Sequence, residues 1–95
     1  MREKEIEKKL VEGIRKLGGR AYKWVSPGND GVPDRIVFLP EGLVFFVELK
    51  TETGKLTALQ EVQLGRLKAL GQNVRVLHGI REVEKFLRWC EDYGI

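Results

Sequence analysis

Residues 43–47, Leu-Val-Phe-Phe-Val, make the longest uninterrupted apolar run in the chain. Side chains of a strand alternate between faces, so a strand that is apolar on both needs cover on both and belongs in the middle of a sheet. Polar residues enter this run only at its end, as Glu48 and Lys50. A second β-rich run, Arg35 to Leu39, precedes it, and Pro40-Glu41-Gly42 between them suits a hairpin connection with a G1-type bulge at the glycine. Two antiparallel strands are therefore predicted, the second central. The apolar run is also far short of the roughly 20 residues of a membrane span, and Arg2-Glu3-Lys4 opens a charged stretch. No membrane association is expected, and the expected location is the cytoplasm.

The flanking residues supply the cover. From Glu3 to Leu17, apolar residues fall at Ile6, Leu10, Val11, Ile14 and Leu17, the spacing of an amphipathic helix, and Gly18-Gly19 stops it. Arg20 to Val25 reads as a short strand, followed by the long turn-rich loop from Ser26 to Pro33. Thr57 can cap a helix carrying Val62, Leu64, Leu67 and Leu70, closed by Gly71. Val74 to His78 reads as a strand, and Ile80 to Tyr93 as a last helix with Val83, Phe86, Leu87, Cys90 and Tyr93 on its inner side. The order αβββαβα describes an α/β fold, a small mixed β-sheet of about four strands flanked by helices. With 95 residues it is a single domain, 1–95, whose core is modest enough that association into a dimer is expected.

Charge and cysteine content exclude little more. Seventeen Lys and Arg against 14 Asp and Glu leave a formal charge of +3, too mild by itself to announce nucleic acid. Basic residues recur across Arg15, Lys16, Arg20, Lys23, Lys50, Lys55, Arg66, Lys68, Arg75 and Arg81, so convergence in space would create a phosphate-binding surface. Cys90 is the only cysteine, stands among apolar helical positions, and is expected to fill core. His78 has no second ligand at metal spacing and is expected to be structural.

The hairpin brings chemistry together. Centred on Glu41, it opposes residues whose numbers sum to 82: Leu39 with Leu43, Phe38 with Val44, Ile36 with Phe46 and Asp34 with Glu48. Opposed side chains share a face about 4.5 to 5.5 Å apart at Cβ, so two carboxylates would repel unless a positive group stands between them. Lys50 lies on that face, two residues beyond Glu48. A divalent cation answers the repulsion simply, and hard oxygen donors suit Mg²⁺ or Mn²⁺. A solvated hairpin base with an ordinary Glu48–Lys50 ion pair is the structural alternative.

Gly31-Val32-Pro33-Asp34, thirteen intervening residues, then Glu48-Leu49-Lys50 resembles the PD-(D/E)xK nuclease signature. More narrowly, Val-Pro-Asp-Arg at 32–35, Val-Glu-Leu-Lys at 47–50, the opening helix and the glutamine-bearing helix that follows are similar to the stand-alone VRR-NUC domains of bacteriophages. The resemblance implies a restriction-endonuclease-like fold and a metal-dependent DNA endonuclease. It implies that Asp34 and Glu48 hold Mg²⁺ or Mn²⁺ with the carbonyl of Leu49, that Lys50 positions the attacking water, and that a glutamate of the first helix completes the site directly or through water. Helical projection puts Glu3 and Glu7 on the apolar face. Glu7 stands eleven residues before Gly18, a spacing similar to that of archaeal Holliday-junction resolvases, and is preferred to Glu3. Gln60 matches a family glutamine, and Thr57-Ala58-Leu59-Gln60 equally has the form of a capping box.

Ser26, Asn29 and Arg35 near Asp34, with Lys55, are candidate DNA contacts. Tyr22 and Trp24 are expected in the core rather than stacked on a base. The implied substrate is branched DNA such as a four-way junction, cut by a homodimer; flaps or splayed arms, or a DNA-binding module without turnover, are the alternatives.

Overall fold

The computed structural model describes residues 2–94. Helix α1 (Glu3–Lys16) leads into strand β1 (Arg20–Lys23), then β2 (Arg35–Leu39), β3 (Leu43–Lys50), helix α2 (Ala58–Ala69), β4 (Val74–His78) and α3 (Gly79–Trp89). The four strands form one sheet in the order β1-β2-β3-β4. The first three pair antiparallel, and β4 runs parallel to β3 after a crossover through α2. The fold is thus the expected α/β arrangement with a mixed sheet.

The hairpin register is the one alternation and turn length require. Arg35 faces Val47, Ile36 faces Phe46, and the ladder closes with Leu39 facing Leu43. Alternate residues therefore sort cleanly onto two faces. Val37, Leu39, Phe45, Val47 and Leu49 turn to the face covered by Ile6, Leu10 and Ile14 of α1 and by Val83, Phe86 and Cys90 of α3, and these side chains form the main core. Phe45 meets Phe86 and Trp89 edge to face at 5.1 and 5.6 Å.

The other face departs from the expectation of full cover. Leu64 of α2 is buried outside the main core, while Val44 and Phe46 of β3 are only half-buried. Tyr22, expected in the core, is 58% exposed and rests on Phe38, itself 41% exposed. A single crossover helix of 12 residues cannot roof four strands, so the β1–β2 side stays open.

Two ends also differ. β1 stops at Lys23 rather than Val25, because the chain turns out of the sheet toward Pro27, and Val25 is exposed. α3 stops at Trp89 and continues as a wider π turn over Cys90–Gly94. The wider turn rotates Tyr93 off the buried stripe, leaving it 76% exposed against Trp89 instead of on the inner side. Cys90 is fully buried as expected, and burial pushes its thiol up to about 11, which makes it unreactive filler.

The β2–β3 connection is a 3₁₀ turn, Pro40–Gly42, in which Glu41 (φ 67°) as well as Gly42 (φ 75°) adopts left-handed backbone. A residue with a Cβ is disfavoured there, and asparagine tolerates the conformation better than glutamate. Glu41→Asn is expected to stabilise the protein by about 0.5–1 kcal/mol, read as a raised urea midpoint at unchanged slope.

Candidate active site

The ladder between β2 and β3 ends at Arg35, and the side chain of Asp34 takes over one residue further on. Its Oδ2 accepts the Leu49 N–H at 2.9 Å, while its own carbonyl accepts the Trp24 N–H at 2.9 Å. Asp34 is thus tied to both neighbouring strands at the point where they splay.

Glu48 lies beside it on β3, 2% exposed. Its Oε2 accepts from Gln60 Nε2 at 2.9 Å and stands 3.6 Å from Lys50 Nζ. Its Oε1 is buried with no hydrogen-bond partner among the described residues. Burial, and then the charge of Asp34, push the Glu48 carboxyl up to about 7 against the opposing pull of Lys50. Asp34 is raised as well, chiefly by burial, with the Leu49 N–H opposing and Glu7 adding to the effect.

Gln60 does both things its sequence context suggested. Its Oε1 accepts the Thr57 N–H at 2.9 Å and its backbone N–H donates to Thr57 Oγ1 at 3.1 Å, completing the capping box, while its amide nitrogen reaches Glu48. The first turn of α2 is itself seated by the loop before Asp34. Gly31 (φ +89°) packs so tightly that a Cβ there would stand 2.7 Å from the Leu59 carbonyl carbon, and Gln63 Nε2 donates to the Asp30 carbonyl at 3.3 Å.

These groups wall a cleft of about 450 Å³ at the ends of β2 and β3. Leu49, Lys50 and Gln60 line it with the two acids, and Glu3, Lys4 and Glu7 of α1 form its remaining wall. Both helix-one candidates are therefore present. Lys4 is a cleft residue that the sequence does not signal, since a lysine in a charged helix start carries no mark of a site, and only the docking of α1 across the strand ends brings it in.

Of the candidate DNA contacts, none lines this cleft. Arg35, one residue from Asp34, points to the opposite face, where its Nε and Nη2 reach Glu7 Oε2 at 3.2 and 3.1 Å and its Nη1 donates to the Ala21 carbonyl at 3.0 Å. Ser26 and Asn29 bond to each other at 2.9 Å, and Lys55 is exposed. His78 keeps a structural role, with Nδ1 3.2 Å from the Thr51 carbonyl and its backbone N–H donating to Glu82 at 2.8 Å.

Among the described residues, no three His, Cys, Asp or Glu side chains gather closely enough to enclose a metal ion. The cleft offers instead two adjacent carboxylates, one with an unpartnered buried oxygen, beside the Leu49 backbone. Magnesium-type ions are commonly held this way, by one or two carboxylates with water and substrate phosphate filling the remaining positions. The donor set fits such an ion.

The raised Glu48 pKa has a stability consequence of definite sign. Between about 4.5, its ordinary value, and about 7, the folded protein holds a proton that the unfolded chain has released, so stability is complete below that window and falls as pH rises through it. In EDTA, urea melts of wild type should lose about 1–3 kcal/mol between pH 4.5 and 8 relative to Glu48→Gln. Parallel pH profiles for the two proteins would refute this.

A protein named "Putative nuclease p44", from Acyrthosiphon pisum secondary endosymbiont phage 1, is 54% identical over 77 residues, covering 81% of this chain and 83% of that protein. A solved structure named "VRR_NUC domain" superposes with a TM-score of 0.85 at 34% identity, covering 96% of each chain. Another, named "VRR_NUC domain protein", shares the fold with a TM-score of 0.73 at 17% identity over 93% of this chain and 86% of that one. No family model matches the chain. The acid-and-lysine cleft thus sits on a chain that matches the phage nuclease over 81% of its length and the VRR_NUC domain structure over 96%, and it belongs to the VRR-NUC family of nucleases.

Proposed function

We propose that the protein is a metal-dependent endonuclease of the PD-(D/E)xK type that hydrolyses phosphodiester bonds in branched DNA, such as four-way junctions, as a homodimer. The observation that carries the reading is the buried Oε1 of Glu48, without a partner among the described residues, at the wall of an open cleft next to Asp34 and Lys50. A buried carboxylate oxygen without a donor is costly, and a cation is the partner that relieves it.

Asp34, Glu48 and the Leu49 carbonyl would hold Mg²⁺ or Mn²⁺, with Glu7 assisting through water. Bound there, the ion supplies Lewis-acid activation of water and stabilisation of charge on the phosphate. The protein's own groups do the rest. The Leu49 N–H fixes one oxygen of Asp34, and Gln60 fixes one oxygen of Glu48, so each acid keeps a defined orientation. Lys50, its side chain 13% exposed and 3.6 Å from Glu48, would orient the attacking water and balance charge at phosphorus. Water oxygen bonds to phosphorus as the bond from phosphorus to a sugar oxygen breaks; the water gives up a proton to solvent and the leaving oxygen takes one up from solvent.

Association is supported by apolar surface. Tyr22 and Phe38, in contact on the open sheet face, with Leu59 and Val62 on α2 and Leu70 just after it, are between 41% and 74% exposed, apolar surface that a partner copy would cover. Two copies related by a two-fold axis present two clefts to one substrate, which suits a symmetric junction. Shape rather than base sequence is the readout that fits a domain whose helices are all engaged with sheet or cleft.

A cleavage assay over four-way junctions, flaps, splayed arms and linear duplex tests the reading. Wild type should cut the junction in Mg²⁺ or Mn²⁺ and not in EDTA, and Glu48→Ala and Lys50→Ala should each lose about 100-fold or more in rate while still binding DNA. Cutting that ignores EDTA, or variants as fast as wild type, would refute the mechanism; preference for flaps would refute the junction. For the dimer, sedimentation should give twice the monomer mass, reduced to the monomer by Phe38→Glu with a cooperative melt retained.

A further inference from the structure

Arg35 follows Asp34 directly, yet strand alternation sends the two side chains to opposite faces. Asp34 enters the cleft, while Arg35 lies beneath α1 with its side chain 16% exposed. Its Nη1 donates to the Ala21 carbonyl of β1 and its Nε to Glu7 of α1, and Nη2 stands 3.1 Å from the same Glu7 oxygen as an ion pair. The guanidinium is thereby braced between two elements, on the wall of a shallow second cleft that Glu7 also lines.

The form of the Glu7 contact is informative. Both Nε and Nη2 converge on a single oxygen, Oε2, so that Oε1 takes no part in the contact with Arg35. Glu7 lines the same cleft as Asp34 and Glu48, and its charge is felt at Asp34. A glutamate on a helix surface otherwise samples many rotamers, and freezing it carries an entropic cost. Here the grip is made in the folded protein before any ligand arrives.

We infer that Arg35 is a positioning residue: it clamps Glu7 by one oxygen and so presents the other to the cleft, where it orders the water around the divalent cation. Arg35 acts on the reaction through Glu7 and does not contact DNA. A lysine cannot reproduce the action, because a single ammonium lacks the fork that fixes the carboxylate plane and reaches β1 at the same time. The inference rests on the proposed metal-dependent reading of the cleft.

The test combines calorimetric titration of Mn²⁺ into DNA-free protein, cleavage kinetics, and DNA binding in EDTA, for Arg35→Gln, Glu7→Gln and the double variant. Arg35→Gln should weaken Mn²⁺ binding about 10-fold and lower kcat by a similar factor, the usual scale for a residue that orients a metal-site group. KM, and the DNA Kd in EDTA, should stay within about twofold of wild type. The double variant should be no worse than Glu7→Gln alone, since both substitutions remove one device. Arg35→Lys, which keeps the charge, should show the same Mn²⁺ defect at a melting temperature near that of wild type, so the effect is readable even if Arg35→Gln folds poorly.

Unchanged Mn²⁺ affinity with weaker DNA binding and a salt slope smaller by about one would make Arg35 a phosphate contact and overturn the inference. Losses that multiply in the double variant would also overturn it. Wild type that binds no Mn²⁺ would overturn the nuclease mechanism and this inference together, whereas wild type that binds and cuts beside unaffected Arg35 variants overturns the inference alone.

Discussion

Glu48 is a carboxylate carried into the interior on a strand built of Leu, Val and Phe, and its charge conditions the structure around it. Burying an ionised group is expensive unless it is paired and hydrogen-bonded, and the protein answers with Lys50 on the same strand and Gln60 from α2. Gln60 reaches Glu48 only because Thr57 holds the start of α2, and that start is seated by the loop whose Gly31 allows backbone to lie against backbone. One buried acid is thus linked through contacts to the placement of a helix start, its capping residue and a glycine. The compensation stops one oxygen short, and such local incompleteness in an otherwise consistent fold is expected where a ligand completes the structure.

The β2–β3 hairpin sets the geometry on which this depends. Its register puts Asp34 next to Glu48 on one face and Arg35 under α1 on the other, so two consecutive residues serve opposite sides of the sheet. A slip of one residue would reverse both assignments and send the apolar face of β3 into solvent. The large core contributed by α1, α3 and β3 therefore protects the site indirectly, by making every other register far less stable. The open β1–β2 face lies outside that constraint, and exposed aromatic residues persist there without disturbing the cleft.

Legibility from the chain alone tracks how local each feature is. The pairing of Leu39 with Leu43 through Ile36 with Phe46, the capping box at Thr57 and Gln60, and the burial of Cys90 follow from turn chemistry, alternation and helical spacing, all of which act over a few residues. Tyr22 in the core and Tyr93 on the inner side of the last helix were misjudged because apolar character was read as burial. Whether a strand face is roofed, or a helix keeps its pitch to the end, depends on packing that no local pattern records.

The arrangement of Asp34, Glu48 and Lys50 at one hairpin mouth was determined by the sequence itself, because turn length and a period of two leave no other way to fold the apolar strand. The partners those groups take were decided only in three dimensions. Glu3 and Glu7 are equivalent by helical projection, and Arg35 beside Asp34 resembles a second cleft residue. Docking of α1 across the sheet gives Glu7 to Arg35 and brings Lys4 into the wall, and no donor among the described residues reaches Oε1 of Glu48. These are contacts between segments far apart in the chain, set by the shape of the packed core rather than by any spacing along it.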